Sequence, residues 1–264
     1  MTQITATASA TATATATKRQ LALEKFIRRL KIRSDLTAAE RAAIVGLPGD
    51  FAEIGPQRDL VIPGSRMDHA CLMVSGLSAR FDQLANDQRQ FTALHVPGDM
   101  CDLHSVPAPL VAWGIQALTK TLYLKVPHQA LRDLIADRPP VALALWRDTI
   151  VDSSILAKWI SALGRRSAEA RLAHLLCEVG IRLEHSGDGE RTRFSLRATQ
   201  IHIADFLGIS TVHVSRSLQS LRVRELVDVQ DYAYRIPDFA ALASFAEFDP
   251  MYLLLDEPSV HGHR

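Results

Sequence analysis

The chain has 264 residues, 47% hydrophobic and 22% charged, which suits an ordinary globular protein with room for two domains. Its 30 Lys and Arg nearly balance 29 Asp and Glu, for a formal net charge of +1. A surface for a polyanion must therefore be local, and a broadly basic, sequence-tolerant nucleoid protein is disfavoured.

There is no apolar run long enough to cross a bilayer and no basic start followed by an apolar core, so no membrane association is expected. The three cysteines, Cys71, Cys101 and Cys177, are odd in number and far apart. They suit reduced thiols in a cytoplasmic protein and offer no CxxC metal knuckle.

Residues 1–17 are a Thr-Ala repeat with no large side chain to bury, so they are expected to be a disordered tail. From Lys18 to Leu47 the pattern is helical. Leu21, Leu23, Phe26, Ile27 and Leu30 mark one amphipathic segment; Asp35 or Thr37 caps a second carrying Leu36, Ile44 and Val45. Between residues 51 and about 126, turn signals such as Pro63-Gly64-Ser65, Ser75-Gly76 and Pro97-Gly98-Asp99 recur at intervals of roughly ten residues, which predicts an antiparallel sandwich or barrel. A short helix follows at 128–137, ended by Pro139-Pro140.

Residues 141–163 predict a long helix. Leu143, Trp146, Ile150, Ser153, Ala157 and Ile160 step by three and four, a heptad-like seam. Leu145, Leu156 and Trp159 widen the apolar surface, so the helix must pack on two sides: one the β domain, the other a symmetry mate. The alternative is an intramolecular core helix. Gly164 is expected to break the helix at a hinge, before a further helix at 168–183 and a loop at 186–189.

Gln200 to Leu221 reads as two short helices around a tight turn. Ile203, Ala204 and Leu207 face inward, Gly208 leaves the first helix, Ile209 plugs the turn and Ser210 caps the second helix. Val214, Leu218 and Leu221 share one face. This is a helix-turn-helix, whose second helix suits a DNA major groove. Thr211, Val212, His213, Ser215 and Arg216 point away from the packing face or flank it. Arg216 can pair with guanine O6 and N7, and Val212 can touch a thymine methyl. Arg222 or Arg224 suits a phosphate. Val227 and Val229, then Tyr234 and Ile236, alternate around Gln230-Asp231-Tyr232 as a β-hairpin wing, and Arg191, Arg193 and Arg197 lie in a neighbouring strand.

Three stretches resemble the Crp/Fnr family of bacterial transcription regulators: GRRSAEARLAHLLCE at 164–178, LGISTVHVSRSLQSLR at 207–222 and VPGDMCDLHS at 96–105. The resemblance runs from about residue 20 to 240. It implies an α+β chain with an antiparallel, cyclic-nucleotide-binding-like β-roll sensor at 18–138 and a dimerisation helix at 139–164. A winged helix-turn-helix then occupies 165–240, and a C-terminal tail 241–264. It further implies a homodimer, not an enzyme, that reads a two-fold symmetric double-stranded DNA operator and works with RNA polymerase. The dimer seam would be Leu143, Trp146, Ile150, Ala157 and Ile160, the DNA-binding residues Thr211, Val212, His213, Ser215, Arg216 and Arg222, and the effector pocket Gly98, Asp99, Cys101, Asp102 and His104.

The chain departs from the family pattern at the sensor. Cys101-Asp102-Leu103 stands where cyclic-nucleotide-binding members have Gly-Glu-Leu, and no arginine lies between Pro107 and Thr119. A buried phosphate without a guanidinium is poorly compensated, so cyclic nucleotide is not the expected signal unless Arg80 or Arg89 reaches in. No cysteine precedes Cys71, which disfavours the family's iron–sulfur cluster. The cofactor is therefore unknown; His95, Cys101, Asp102 and His104 leave a metal- or haem-gated alternative, and a cupin-like enzyme is the remote one. In the recognition helix Val212 replaces a glutamate frequent in the family, so a different operator is expected.

Overall fold

The computed structural model describes residues 2–83, 85 and 89–255. Helix α1 runs Thr2–Lys31. It thus includes residues 2–17, which the composition left as a disordered tail; Met1 lies outside the described residues. Alanine has the highest helix propensity, and the packed segment from Leu21 onward supplies the nucleus that an isolated tract lacks. Leu23, Phe26, Ile27 and Leu30 are buried, as the spacing predicted, joined by Ala22, whereas Leu21 is exposed. Helix α2 (Ala38–Val45) is capped by Thr37 rather than Asp35: Thr37 Oγ1 accepts from Glu40 N, and Glu40 Oε2 accepts from Thr37 N at 2.6 Å.

Two antiparallel sheets follow. One orders β1 (Asp50–Ile54), β7 (Thr121–Pro127) and β3 (His69–Ser75). The other orders β2 (Asp59–Val61), β6 (Gly114–Ala117), β4 (Ser78–Gln83) and β5 (Arg89–His95). The period of two sorts their side chains. Cys71, Met73 and Tyr123 point into the roll with Val61, Cys101 and Ile115, while Leu72, Leu124 and Val126 face outward onto α1 and the helices after β7. Gly114 opposes Phe81 across the second sheet, and a Cβ there would sit 2.2 Å from the Phe81 ring, so the close approach requires glycine.

Helix α3 (His128–Asp137) ends before Pro139-Pro140, which then open α4 (Pro139–Arg165) at positions that need no backbone N–H. Helix α4 continues through Gly164, so the expected break comes at Arg166, whose backbone is extended, and not at the glycine. Ser167 caps α5 (Ala168–Ser186), and Gly187 ends it in the left-handed region. The C-terminal unit adds β8 (Arg193–Ser195), α6 (Gln200–Leu207), α7 (Thr211–Val223), β9 (Asp228–Gln230) and β10 (Ala233–Arg235), with sheet order β8-β10-β9.

The expected C-terminal tail is not loose over its described part. Phe239–Phe245 is helix α8, and a 3-10 turn at Pro250–Leu253 buries Tyr252 and Leu253. Tyr252 stacks beside His174 and donates its hydroxyl to Glu178 at 2.8 Å. Residues 256–264 of that tail lie outside the described residues.

The sensor and the C-terminal unit meet in a buried ionic knot. Asp99 in the turn after β5 accepts from Arg29 of α1 at 2.5 Å and from Arg182 of α5 at 2.8 Å. Arg29 also donates to Asp148 and Asp152 of α4, and Arg182 to Glu178. Burial opposes the charge on Arg29, but the three carboxylates outweigh it and raise its pKa. Beside the knot, Phe91 of β5 packs on Phe206 of α6 at 5.0 Å, and Gln90 Nε2 donates to Asp205 O at 2.6 Å.

Candidate nucleic-acid interface and sensor site

Local chemistry sets the geometry of α6 and α7. Thr199 caps α6 by accepting from His202 N, and Gly208 at φ +59° turns the chain out of it. Ser210 caps α7, accepting from His213 N at 3.3 Å. Val214, Leu218 and Leu221 are buried against α6 and α5, joined by Ser217, which the apolar pattern did not mark. The opposite side is open: Thr211, Val212, His213, Ser215, Arg216 and Arg222 are all exposed, with Val212 at 55%.

Several of these residues are already engaged inside the unit. Ser215 Oγ donates to Gln200 Oε1 at 2.6 Å, tying α7 to the start of α6. His213 Nδ1 lies 2.8 Å from Ser210 Oγ. Arg222 donates to Val229 O, so its guanidinium braces α7 against the wing. The wing is a two-residue hairpin with Asp231 and Tyr232 both at positive φ, the turn that matches strand twist. Arg193 and Arg197 are exposed on and beside β8.

On α4 the heptad-like residues fall together on the open side. Leu143, Trp146, Ile150, Ala157 and Ile160 are exposed, with Trp146 at 66% and Ile160 at 61%, while Val151, Ile155 and Trp159 on the other side are buried. Four large apolar side chains and an alanine are thus left in water along one side of α4.

The five residues assigned to an effector pocket have separate surroundings. Gly98, at φ +94°, makes the tight turn, and Asp99 belongs to the ionic knot. Burial acts to raise the Asp99 carboxyl, but Arg29 and Arg182 hold it below its ordinary value. Cys101 lies in the roll with Sγ 3.7 Å from Ser78 Oγ, and burial pushes its thiol well up. Asp102 is fully buried, accepts from Cys71 N at 2.6 Å, and is pushed by burial up to about 6. His104 rests against Trp113 at 4.8 Å; among the described residues neither its Nε2 nor Trp113 Nε1 has a hydrogen-bond partner, and burial lowers the imidazole to about 4.

The two alternative arginines are also held. Arg80 bonds Thr92 Oγ1 at 3.1 Å and lies over Trp113, and Arg89 pairs with Asp59 at 3.2 Å over the Phe81 ring. Among the described residues no group of three or more His, Cys, Asp or Glu is arranged to hold a metal ion.

Residues 170–245 match the Crp-like helix-turn-helix domain. The chain is 26% identical over 192 residues to the transcriptional activator protein FnrL of Cereibacter sphaeroides, covering 70% of this chain and 76% of that one. It is 25% identical over 221 residues to the transcriptional activatory protein AadR of Rhodopseudomonas palustris, covering 83% and 91%. Its fold is similar to FixK2 from Bradyrhizobium japonicum, with a TM-score of 0.68 at 22% identity over 75% of this chain and 98% of that one. Over most of its length the chain is thus similar to regulators of the Crp/Fnr family, and residues 170–245 match the Crp-like helix-turn-helix model.

Sequence reasoning missed three groups that shape the site. Gln200 anchors Ser215, and the only signal was a polar residue at the first position of α6. Arg29 and Arg182 hold the Asp99 turn from far along the chain, without a local pattern to reveal it. Gln219 is exposed on α7 and follows Val212 at i+7, a spacing visible in the sequence.

Proposed function

We propose that the protein is a homodimeric, sequence-specific DNA-binding transcription regulator whose β-roll answers to a signal other than a cyclic nucleotide. The observation that carries the reading is the two-sided helix α7: one side is sealed into the core and the other, with Arg216 and Val212 exposed, is presented to solvent. A helix held this rigidly by α6 and a wing is suited to the major groove. The exposed row on α4 supports a two-fold partner, which would set two copies of α7 about 34 Å apart for successive grooves. A cytoplasmic location and RNA polymerase as partner follow from the family reading.

Against cyclic nucleotide stand the buried Asp102 carboxylate, already bonded to Cys71 N, and the engagement of Arg80 and Arg89 with other groups. The test has two arms. Light scattering of the protein with and without DNA selected from a random pool should give a dimer on a two-fold symmetric motif. A monomer on DNA refutes the assembly, and failure to select any motif refutes the function. Calorimetry with cyclic AMP and cyclic GMP should give no micromolar binding; such binding, abolished by Arg80→Ala, overturns the reading of the sensor.

A further inference from the structure

The direction of each side chain around α7 separates residues that brace the domain from residues that meet the DNA. At about 100° per residue, the buried Val214, Ser217, Leu218 and Leu221 define one direction. Directly opposite, within about 30°, lie Val212, Arg216, Gln219 and Val223. Ser215 and Arg222 turn away to one flank, which agrees with their bonds to Gln200 and Val229. His213 lies on the other flank, its ring beside Ser210. Gln219 is exposed and, like Arg216, has no hydrogen-bond partner among the described residues.

We propose that Gln219 is a specificity-determining residue that reads an adenine in each half-site of the operator, beside a guanine read by Arg216. This rests on the reading of α7 as the helix that enters the major groove. Glutamine is the side chain whose carboxamide pairs twice with an adenine edge, accepting from N6 and donating to N7, as arginine pairs twice with guanine. Gln219 follows Arg216 by three residues, or about 4.5 Å of helix axis, against about 3.4 Å per base pair along one strand. The adenine therefore falls one or two base pairs from the guanine. Val212, a turn in the other direction, offers an apolar contact for a thymine methyl on the far side of that guanine. The operator code of this protein is thus carried by an apolar group, a guanidinium and a carboxamide in one stripe. Ser215 and Arg222, which the sequence pattern also offered, serve to fix the helix.

The experiment is selection from random-sequence double-stranded DNA with the full-length wild type, Gln219→Ala and Gln219→Glu in parallel. Thermal melting should confirm that the exposed substitutions leave folding unchanged. The wild type is expected to select a two-fold motif with an A·T pair near a G·C pair in each half-site. Q219A should lose preference at that A·T alone and bind the best wild-type site about 5- to 150-fold more weakly. Q219E should move the preference there to cytosine, whose N4 donates to a carboxylate. If the wild type selects a motif and Q219A selects the same one with uniformly lower affinity, Gln219 grips the backbone and the proposal is overturned. If the wild type selects no motif, the regulator reading itself fails, and this inference with it.

Discussion

Replacing Asp99 by asparagine tests whether the turn after β5 is a structural joint or part of a ligand pocket. The side chain is 5% exposed and accepts from Arg29 at 2.5 Å, Arg182 at 2.8 Å and Val96 N at 2.9 Å. Asparagine keeps the shape and removes the charge, leaving two buried guanidinium groups short of a partner. Breaking a buried pair from one side costs about 3–5 kcal/mol. Asp148, Asp152 and Glu178 remain beside the two arginines, so the lower end, about 3 kcal/mol, is expected. For a protein of this size that lowers Tm by about 6–12 °C.

The pH dependence carries the same signature. The folded-state pKa of Asp99 lies below its ordinary value, so its contribution is present at neutral pH and fades as pH falls through the folded value. Circular dichroism melts of wild type and D99N at pH 7 should differ by that margin, and the gap should narrow in acid. A shift of under about 2 °C at pH 7, outside the range above, would refute the account of the knot.

Other substitutions probe the remaining surfaces. Ile150→Glu places a charge in the exposed row of α4 and should yield monomers that bind operator poorly, as light scattering and gel shift would record; an unchanged dimer would move the interface elsewhere. Arg216→Ala should weaken specific binding by about 1–3 kcal/mol and relax one G·C position, whereas uniform weakening over all operator variants would mark a phosphate contact. His174 is buried between Phe248 and Tyr252, and burial, helped by Arg166 and Lys158, lowers its imidazole to about 3. The unfolded chain then binds the extra proton below its ordinary value, so this group destabilises the fold as pH falls. Between pH 6.5 and 5 the effect is about 2 kcal/mol, and urea titrations of His174→Phe should show a stability that depends less on pH by that amount.

The parts of this protein that the amino-acid order settles alone are those whose causes lie within a few residues. The helix-turn-helix needs a cap at Ser210, a left-handed glycine at 208 and apolar residues one turn apart, and each is a local property of the chain. The wing follows from alternation around a two-residue turn, and the open row on α4 from steps of three and four. Local rules also misled where neighbours decide. The Thr/Ala tract lacks anything to bury, yet it extends a helix nucleated by residues after it.

Only the tertiary structure could reveal which polar groups are already spent. Asp99 meets arginines 70 and 83 residues away, and Tyr252 reaches Glu178 across 74. Such pairings follow from packing and leave no periodic trace, so Asp99, read from the sequence with the effector motif, also belongs to a joint between the β-roll and the helix-turn-helix unit. On α7 the sequence offered Ser215, Arg216 and Arg222 together and passed over Gln219, and the fold sorted them. A hydroxyl bonded to Gln200 and a guanidinium bonded to the wing have given their hydrogen bonds to the scaffold, which leaves the stripe through Arg216 and Gln219 open to solvent.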